Sequence, residues 1–179
     1  MHHRTTSQQS EKVTQLFDEV KSALSNKFGA DFLNAQIDYD FPVFEVNKSV
    51  IHETLGFLKD DPSLNFSFLT TMCGSHFPDQ GEREFSMMYQ LHNLQQNKRI
   101  RIKTFMSVKD LEVPTVTDLW KGANWMEREA FDFFGFRFKG HPNLKRILNM
   151  DEMNYHPLRK QYALEDGSRD DKADKYFGR

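Results

Sequence analysis

The chain has 179 residues, with 24 Lys and Arg against 26 Asp and Glu, a net charge of −2. That length suits one domain with a core of its own, and the near-neutral balance argues against a general nucleic-acid binder, which carries a strong basic excess. Cys73 is the only cysteine, so an iron–sulfur cluster, a Cys-rich zinc site and an internal disulfide are all beyond this chain alone.

In chain order, Ser10 to Phe28 reads as an amphipathic helix, with Val13, Leu16, Phe17, Val20 and Leu24 at helical spacing and Gly29 as its C-terminal cap. The first ten residues contain no apolar stretch of the signal-peptide kind, and no run approaches 18 apolar residues. The expectation is a soluble, intracellular chain that reaches a membrane only through a partner. Phe32–Ile37 and Phe41–Val46 are predicted strands, the second with Pro42 at its start or at a sheet edge. Val50–Leu58 is a predicted helix ended by Asp60-Asp61-Pro62, and Leu64–Met72 a predicted strand. Gly81 opens a hairpin whose arms are Glu84–Leu94 and Arg99–Val108; Ile100, Ile102, Thr104, Met106 and Val108 alternate onto one face.

This order predicts an α+β, two-layer fold: helices packed on one face of a small mixed or antiparallel sheet, with an extended C-terminal segment. Residues 1–164 form the expected single domain. Residues 165–179 are a charged, apolar-poor tail that reads either as disordered or as an arm ordering on a partner through Tyr176 and Phe177. Cys73 reads as a buried structural thiol.

Residues 114–164 carry most of the signal. The run from Pro114 to Gly135 reads as helix. Val116, Leu119, Ala123, Met126, Ala130, Phe133 and Phe134 make a core stripe, while Trp125, Glu129 and Asp132 share a second face with Arg128 beside it. That second face reads either as an interface or as ordinary partial burial. Five Phe fall in the eight positions 131–138, and Phe136 and Phe138 alternate as in a short strand. Pro142 suits the start of a short helix. Between Arg137 and Tyr162 there are six basic and two acidic residues. This basic segment could pair with an acidic protein surface, or balance Glu127, Glu129 and Asp132. No metal-ligand spacing, carboxylate dyad or Gly-rich phosphate loop stands out.

The run Trp125, Glu127-Arg128-Glu129, Asp132, Phe134-Gly135, Phe138, Gly140-His141-Pro142, Leu144 and Arg146-Ile147-Leu148, with His156-Pro157-Leu158-Arg159-Lys160 downstream, closely resembles the signature of the NuoC family, the C subunit of NADH:quinone oxidoreductase (respiratory complex I). Leu69-Thr70-Thr71-Met72-Cys73-Gly74 resembles that family's strand end, and the likeness spans roughly residues 13–164. Tyr155, Gln161 and Ala163 depart from the usual Gly, Asp and Pro. The resemblance implies a non-catalytic structural subunit of the peripheral arm of a proton-translocating complex, on the cytoplasmic side of the inner membrane. No cofactor is implied in this chain, with FMN and iron–sulfur clusters in partner subunits. The implied partners are the D subunit, which holds the quinone site, and the cluster-bearing B subunit. The implied interface residues are Trp125, Arg128, Glu129, Asp132, His141, Arg146, His156, Arg159 and Lys160. Relatives in membrane hydrogenases leave open the same scaffold fed by another electron donor, and a stand-alone enzyme built on the His, Glu and Asp set is the remaining alternative.

Overall fold

The computed structural model describes residues 2–162; the tail 165–179 lies outside them. Helix α1 spans His2–Phe28. Strands β1 (Phe32–Asp38) and β2 (Phe41–Val46) follow, then helix α2 (Ile51–Asp60) and strands β3 (Phe68–His76), β4 (Phe85–Asn93) and β5 (Lys98–Met106). A short strand β6 (Glu112–Pro114), helix α3 (Ala123–Phe134) and strand β7 (Arg137–Lys139) follow in turn. Five strands form one sheet in the order β1-β2-β5-β4-β3, with β2 and β5 parallel and the other pairs antiparallel. β6 and β7 pair in parallel as a second, two-stranded sheet.

The hydrophobic pattern explains the layering. Along β5, Ile100, Ile102, Thr104 and Met106 are buried, while Arg99 is exposed and Arg101, Lys103 and Phe105 are half-buried. Alternation at period two sends the first set to one face and the second to the other. The apolar face receives Leu16, Val20, Leu24 and Phe28 of α1, and Ile51, Leu55 and Leu58 of α2. Phe17 stacks on Phe44 of β2 with ring centroids 5.6 Å apart. The α+β, two-layer architecture with helices on one face of a mixed sheet is therefore as the sequence predicts.

Several boundaries move, each for a local reason. β3 starts at Phe68 rather than Leu64. The Asp61 carboxylate accepts from the N–H groups of Ser63 and Leu64, at 2.9 and 3.2 Å, and Asn65 takes a positive φ of 43°. Leu64 and Phe66 plug the core from a loop instead. The helix expected from Pro114 starts only at Ala123, because Pro114 closes β6 and the Thr115 and Thr117 hydroxyls draw the next residues into turns. No helix follows Pro142; residues 140–162, here called the strap, run irregularly. β2 lies inside the sheet, with Pro42 as its second residue. Cys73 is exposed, not buried, because its register partner Met88 places it on the face without helices.

The sheet meets the second layer most tightly at Gly74. A Cβ there would lie 2.5 Å from Phe136 Cε2 and 2.8 Å from Phe134 Cδ2. Only a residue without a side chain lets the Phe-rich end of α3 close on β3. Phe136 then meets Phe85 edge-on at 5.9 Å.

Candidate docking site

The last four carbonyls of any α-helix lack intrahelical donors. In α3 the Phe131 carbonyl takes the Gly135 N–H at 2.9 Å, and the donors for the other three come from the strap, 14 to 25 residues further on. The carbonyl of Asp132 accepts from Arg146 Nη1 at 3.1 Å and from the Nδ1–H of His156 at 3.0 Å. The carbonyl of Phe133 accepts the Leu158 N–H at 3.2 Å, and that of Phe134 accepts Arg159 Nε at 2.7 Å. Two guanidinium groups thus sit at the negative end of the helix dipole. Gly135 ends the helix in the left-handed conformation, φ 86°.

Asp132 is the central fastening. Its side chain is fully buried. Oδ1 accepts from Arg146 Nη1 at 2.7 Å, and Oδ2 accepts from the consecutive N–H groups of Ile147, Leu148 and Asn149 at 3.1, 2.9 and 2.9 Å. Burial opposes the charge, but the Asn149 and Leu148 N–H groups, Arg146 and the Ile147 N–H outweigh it and hold this carboxyl well below the usual carboxylate range. Arg146 Nη2 reaches on to the carbonyls of Met153 and Tyr155, at 2.5 and 2.9 Å. Arg128 donates to the carbonyls of Lys145 and Arg146 at 3.0 and 2.6 Å. The strap's far end is tied to the main sheet, where the Lys160 N–H donates to His76 Nδ1 at 2.8 Å. With Nδ1 accepting, the His76 Nε2–H donates to Glu84 Oε1 at 2.9 Å.

The structure therefore divides the residues singled out in the sequence. Asp132 and Arg146 spend their polar groups on each other and on the strap backbone, and the Arg128 guanidinium on the strap carbonyls. His141 has a fully buried side chain; its Nδ1 accepts the Asn143 N–H at 3.0 Å and its Nε2–H donates to the Asn124 carbonyl at 3.1 Å. His156 packs edge-on against Phe131 at 5.9 Å, and burial lowers its pKa against the opposing pull of the Asp132 carbonyl. Arg159 lies over the Phe85 ring at 5.3 Å. Trp125, Glu129 and the Lys160 side chain face outward, Trp125 being 64% exposed with Arg128 over its ring. Leu148 and Met150 are each 70% exposed, and Tyr155, Leu158 and Tyr162 are exposed beside them. The strap is thus pinned by its backbone, by inward polar groups and by Leu144 against the core, while Leu148, Met150, Tyr155, Leu158 and Tyr162 are exposed.

Sequence reading missed Glu127. Read as diverging from Glu129, it is buried under the strap's first turn, accepting from the Thr115 hydroxyl at 2.6 Å and the Val116 N–H at 2.7 Å, 4.0 Å from His141. Its place between Ala123 and Ala130 on the core stripe was the available signal. Burial raises its pKa from the ordinary 4.5 to about 7, against the lowering effect of Thr115 and Val116. The folded chain keeps a proton that the unfolded chain loses above 4.5, so stability falls as the pH rises from there through about 7. The Glu127→Gln variant is expected to abolish this slope and to exceed the parent above pH 8, by on the order of 2 kcal/mol, in urea unfolding across pH 5–8.5. A parent curve flat over that range would refute it.

Fold and strap together define a class: a small two-layer α+β protein whose helix α3 is capped by a distant, internally pinned segment. Residues 44–168 match the family described as respiratory-chain NADH dehydrogenase, 30 Kd subunit. The chain belongs to that family. It is 41% identical over 129 residues to the NADH-quinone oxidoreductase C subunit of Azorhizobium caulinodans, covering 72% of this chain and 60% of that protein. It is 39% identical over 145 residues to the NADH-quinone oxidoreductase C/D subunit of Acinetobacter baylyi, covering 78% of this chain and 24% of the relative. The chain thus spans 60% or less of the length of these relatives. Among solved structures, a trypsin-resistant fragment of Nqo5 superposes with a TM-score of 0.60 at 25% identity, covering 73% of this chain and 98% of the fragment. A chain from an archaeal membrane-bound sulfane sulfur reductase complex gives a TM-score of 0.66 at 23% identity, covering 82% and 85%, a likeness of fold alone. Among the described residues no helix is long and apolar enough to cross a membrane, and no group of three or more His, Cys, Asp or Glu is placed to hold a metal ion.

Proposed function

We propose that this chain is a non-catalytic structural subunit of the peripheral arm of a proton-translocating NADH:quinone oxidoreductase. It docks next to the quinone-site (D) and cluster-bearing (B) subunits on the cytoplasmic side of the membrane. There it supports electron transfer from NADH to quinone, carried by FMN and iron–sulfur clusters in other subunits. The observation that carries this reading is the strap. Arg146 and several of its backbone groups are engaged in holding its shape, yet it presents Leu148, Met150, Tyr155 and Leu158 to solvent, and Trp125 of α3 is exposed as well. A preformed apolar surface with aromatic anchors suits a permanent protein partner, because little conformational freedom is lost on docking. Relatives whose name joins C and D as one C/D subunit favour the quinone-site protein as the neighbour.

The test is purification of the tagged chain from its own host's membranes in mild detergent, with mass spectrometry of the subunits recovered. The double variant Leu148→Asp, Met150→Asp is expected to lower recovery of the quinone-site and cluster-bearing subunits at least tenfold, since both side chains are exposed and the free fold tolerates the change. Unaltered recovery would remove the strap from the interface. Recovery of the parent chain alone would overturn the subunit reading.

A further inference from the structure

The face of the main sheet that bears no helix is not a neutral surface. Arg99, Arg101 and Lys103 follow one another along β5 on that side, about 7 Å apart at the strand's two-residue repeat. β5 lies at the middle of the sheet, so the row is flanked by β2 on one side and β4 on the other. By register Arg101 stands opposite Val43 and Gln90, and Lys103 opposite Glu45 and Met88. The two carboxylates beside the row are engaged: Glu45 is held by both terminal nitrogens of Arg83, and Asp38 lies 3.9 Å from Lys103. Arg83 is in turn seated over Phe105. With Arg83 added to the three cations of β5, four cations face Glu45 and Asp38, with Glu129 of α3 felt at Cys73 on the β3 side, so the row is positive in a chain whose net charge is −2. Arg101 is the centre of the imbalance. Among the described residues it makes no hydrogen bond or ion pair to any oxygen; it lies over the Phe41 ring at 4.9 Å, and its Nε is buried without an acceptor.

We infer that this bare sheet face is a second docking surface, separate from the strap, and that its occupant is an acidic segment of another protein of the same assembly, with a carboxylate received by Arg101. The inference rests on the reading of the chain as an assembly subunit. A guanidinium half-buried among Val43, Gln90 and Phe41 and lacking an oxygen acceptor has its hydrogen-bonding capacity unused, and a fork of this geometry fits a carboxylate better than any neutral group. The amide of Gln90 and the side chain of Met88, both half-buried, supply the remainder of a protein contact. A lipid surface fits less well, because the three cations of β5 lie in a single row rather than in a dense cluster, and only Phe68 and Phe77, at the margin of the face, are exposed large apolar side chains beside it.

Cys73, the only cysteine of the chain, lies exposed on this same face, opposite Met88, and serves as a reporter. The experiment measures the rate of N-ethylmaleimide labelling of Cys73 in the purified assembly and in the free chain. It then compares recovery of the assembly by the Arg101→Glu, Lys103→Glu variant with that by Lys12→Glu, an exposed position on α1. The expected result is labelling at least tenfold slower in the assembly and recovery at least tenfold lower for the β5 variant alone at 150 mM salt. Thermal unfolding of the free β5 variant within a few degrees of the parent would locate the loss in docking. Equal labelling rates overturn the inference. So does protection of Cys73 with normal recovery of the β5 variant, which would mean a covered face without an acidic occupant. Protection of the free chain by phosphatidylglycerol vesicles overturns it in favour of a lipid surface. A parent chain recovered without other subunits overturns the subunit reading itself, an outcome distinct from all of these.

Discussion

Replacing Asp132 by Ala is expected to destabilise the chain by about 3–5 kcal/mol and to free the strap. The substitution removes the acceptor of three consecutive backbone N–H groups and leaves the Arg146 guanidinium, largely buried, without its counter-charge. Leaving one member of a buried pair unpaired costs far more than the pair itself contributes. At this chain length the loss corresponds to a fall in melting temperature of about 10 °C. Hydrogen exchange at Ile147, Leu148 and Asn149 separates this from a general loosening. Those amides should exchange fast in the variant while Ile100 and Ile102 of β5 stay protected relative to the new global stability. Amides at 147–149 that stay protected in Asp132→Ala would show that the carboxylate does not hold the strap. The parent should show the matching acid behaviour. A carboxyl held well below its usual range stabilises the fold fully above the ordinary carboxylate pKa, and that contribution is lost as the pH falls toward the folded value. The strap amides should therefore lose protection only in strong acid.

The second large effect belongs to Gly135. It combines two constraints that fall on one atom. Its φ of 86° is a conformation that L-residues adopt at a cost of about 1–2 kcal/mol. A Cβ there would also lie 2.5 Å from Arg159 Nη2 and 2.7 Å from two atoms of the His156 ring. Both neighbours are fixed by their bonds to the Asp132 and Phe134 carbonyls, so neither moves without releasing the strap from α3. Gly135→Ala is expected to cost about 3 kcal/mol in urea unfolding, with the overpacking contribution added to the backbone one. Gly29→Ala is the control: φ there is 50°, but nothing lies within 4 Å of the added atom. It should cost about 1 kcal/mol, the backbone contribution alone. Equal costs at the two positions would mean that His156 and Arg159 yield freely, and that the glycine serves the backbone alone.

The layers of the fold were legible because they rest on local periodicity. Ile100, Ile102, Thr104 and Met106 alternate without interruption, and Leu16, Val20 and Leu24 repeat at helical spacing, so each names its buried face before any partner is known. Register-breaking details were not legible, because they depend on side chains that compete with the backbone. Asp61 turns the chain ahead of β3, and Thr115 delays α3, through hydrogen bonds whose partners lie several residues away. The strap shows the same limit more sharply. Its basic composition left open whether it meets another protein or balances nearby carboxylates, and the spacing puts Trp125, Glu129 and Asp132 on one helix face. Spacing alone could not separate Asp132, which turns inward to Arg146, from Trp125, which points to solvent. That division depends on contacts 14 to 17 residues along the chain. Glu127 was hidden for the reverse reason: a carboxylate on an apolar stripe looks misplaced until the Thr115 hydroxyl and the Val116 N–H are seen to receive it.

The hydrogen bond from the Lys160 N–H to His76 spans 84 positions of sequence and joins the strap to the end of β3. Closing a loop of that size is unfavourable until the structure at both ends already exists. His76 takes up its place through the Glu84 carboxylate and the Phe85 ring, stacked at 4.3 Å, so the β3–β4 pairing must be complete first. The strap is consequently expected to be among the last parts of the chain to be secured, its amides gaining protection after those of β3 and β4 in pulse-labelled hydrogen exchange during refolding. On the proposed docking role, this chain is expected to gain its docking surface only after β3 and β4 have paired, and a chain stalled with β3 unpaired to lack a shaped strap.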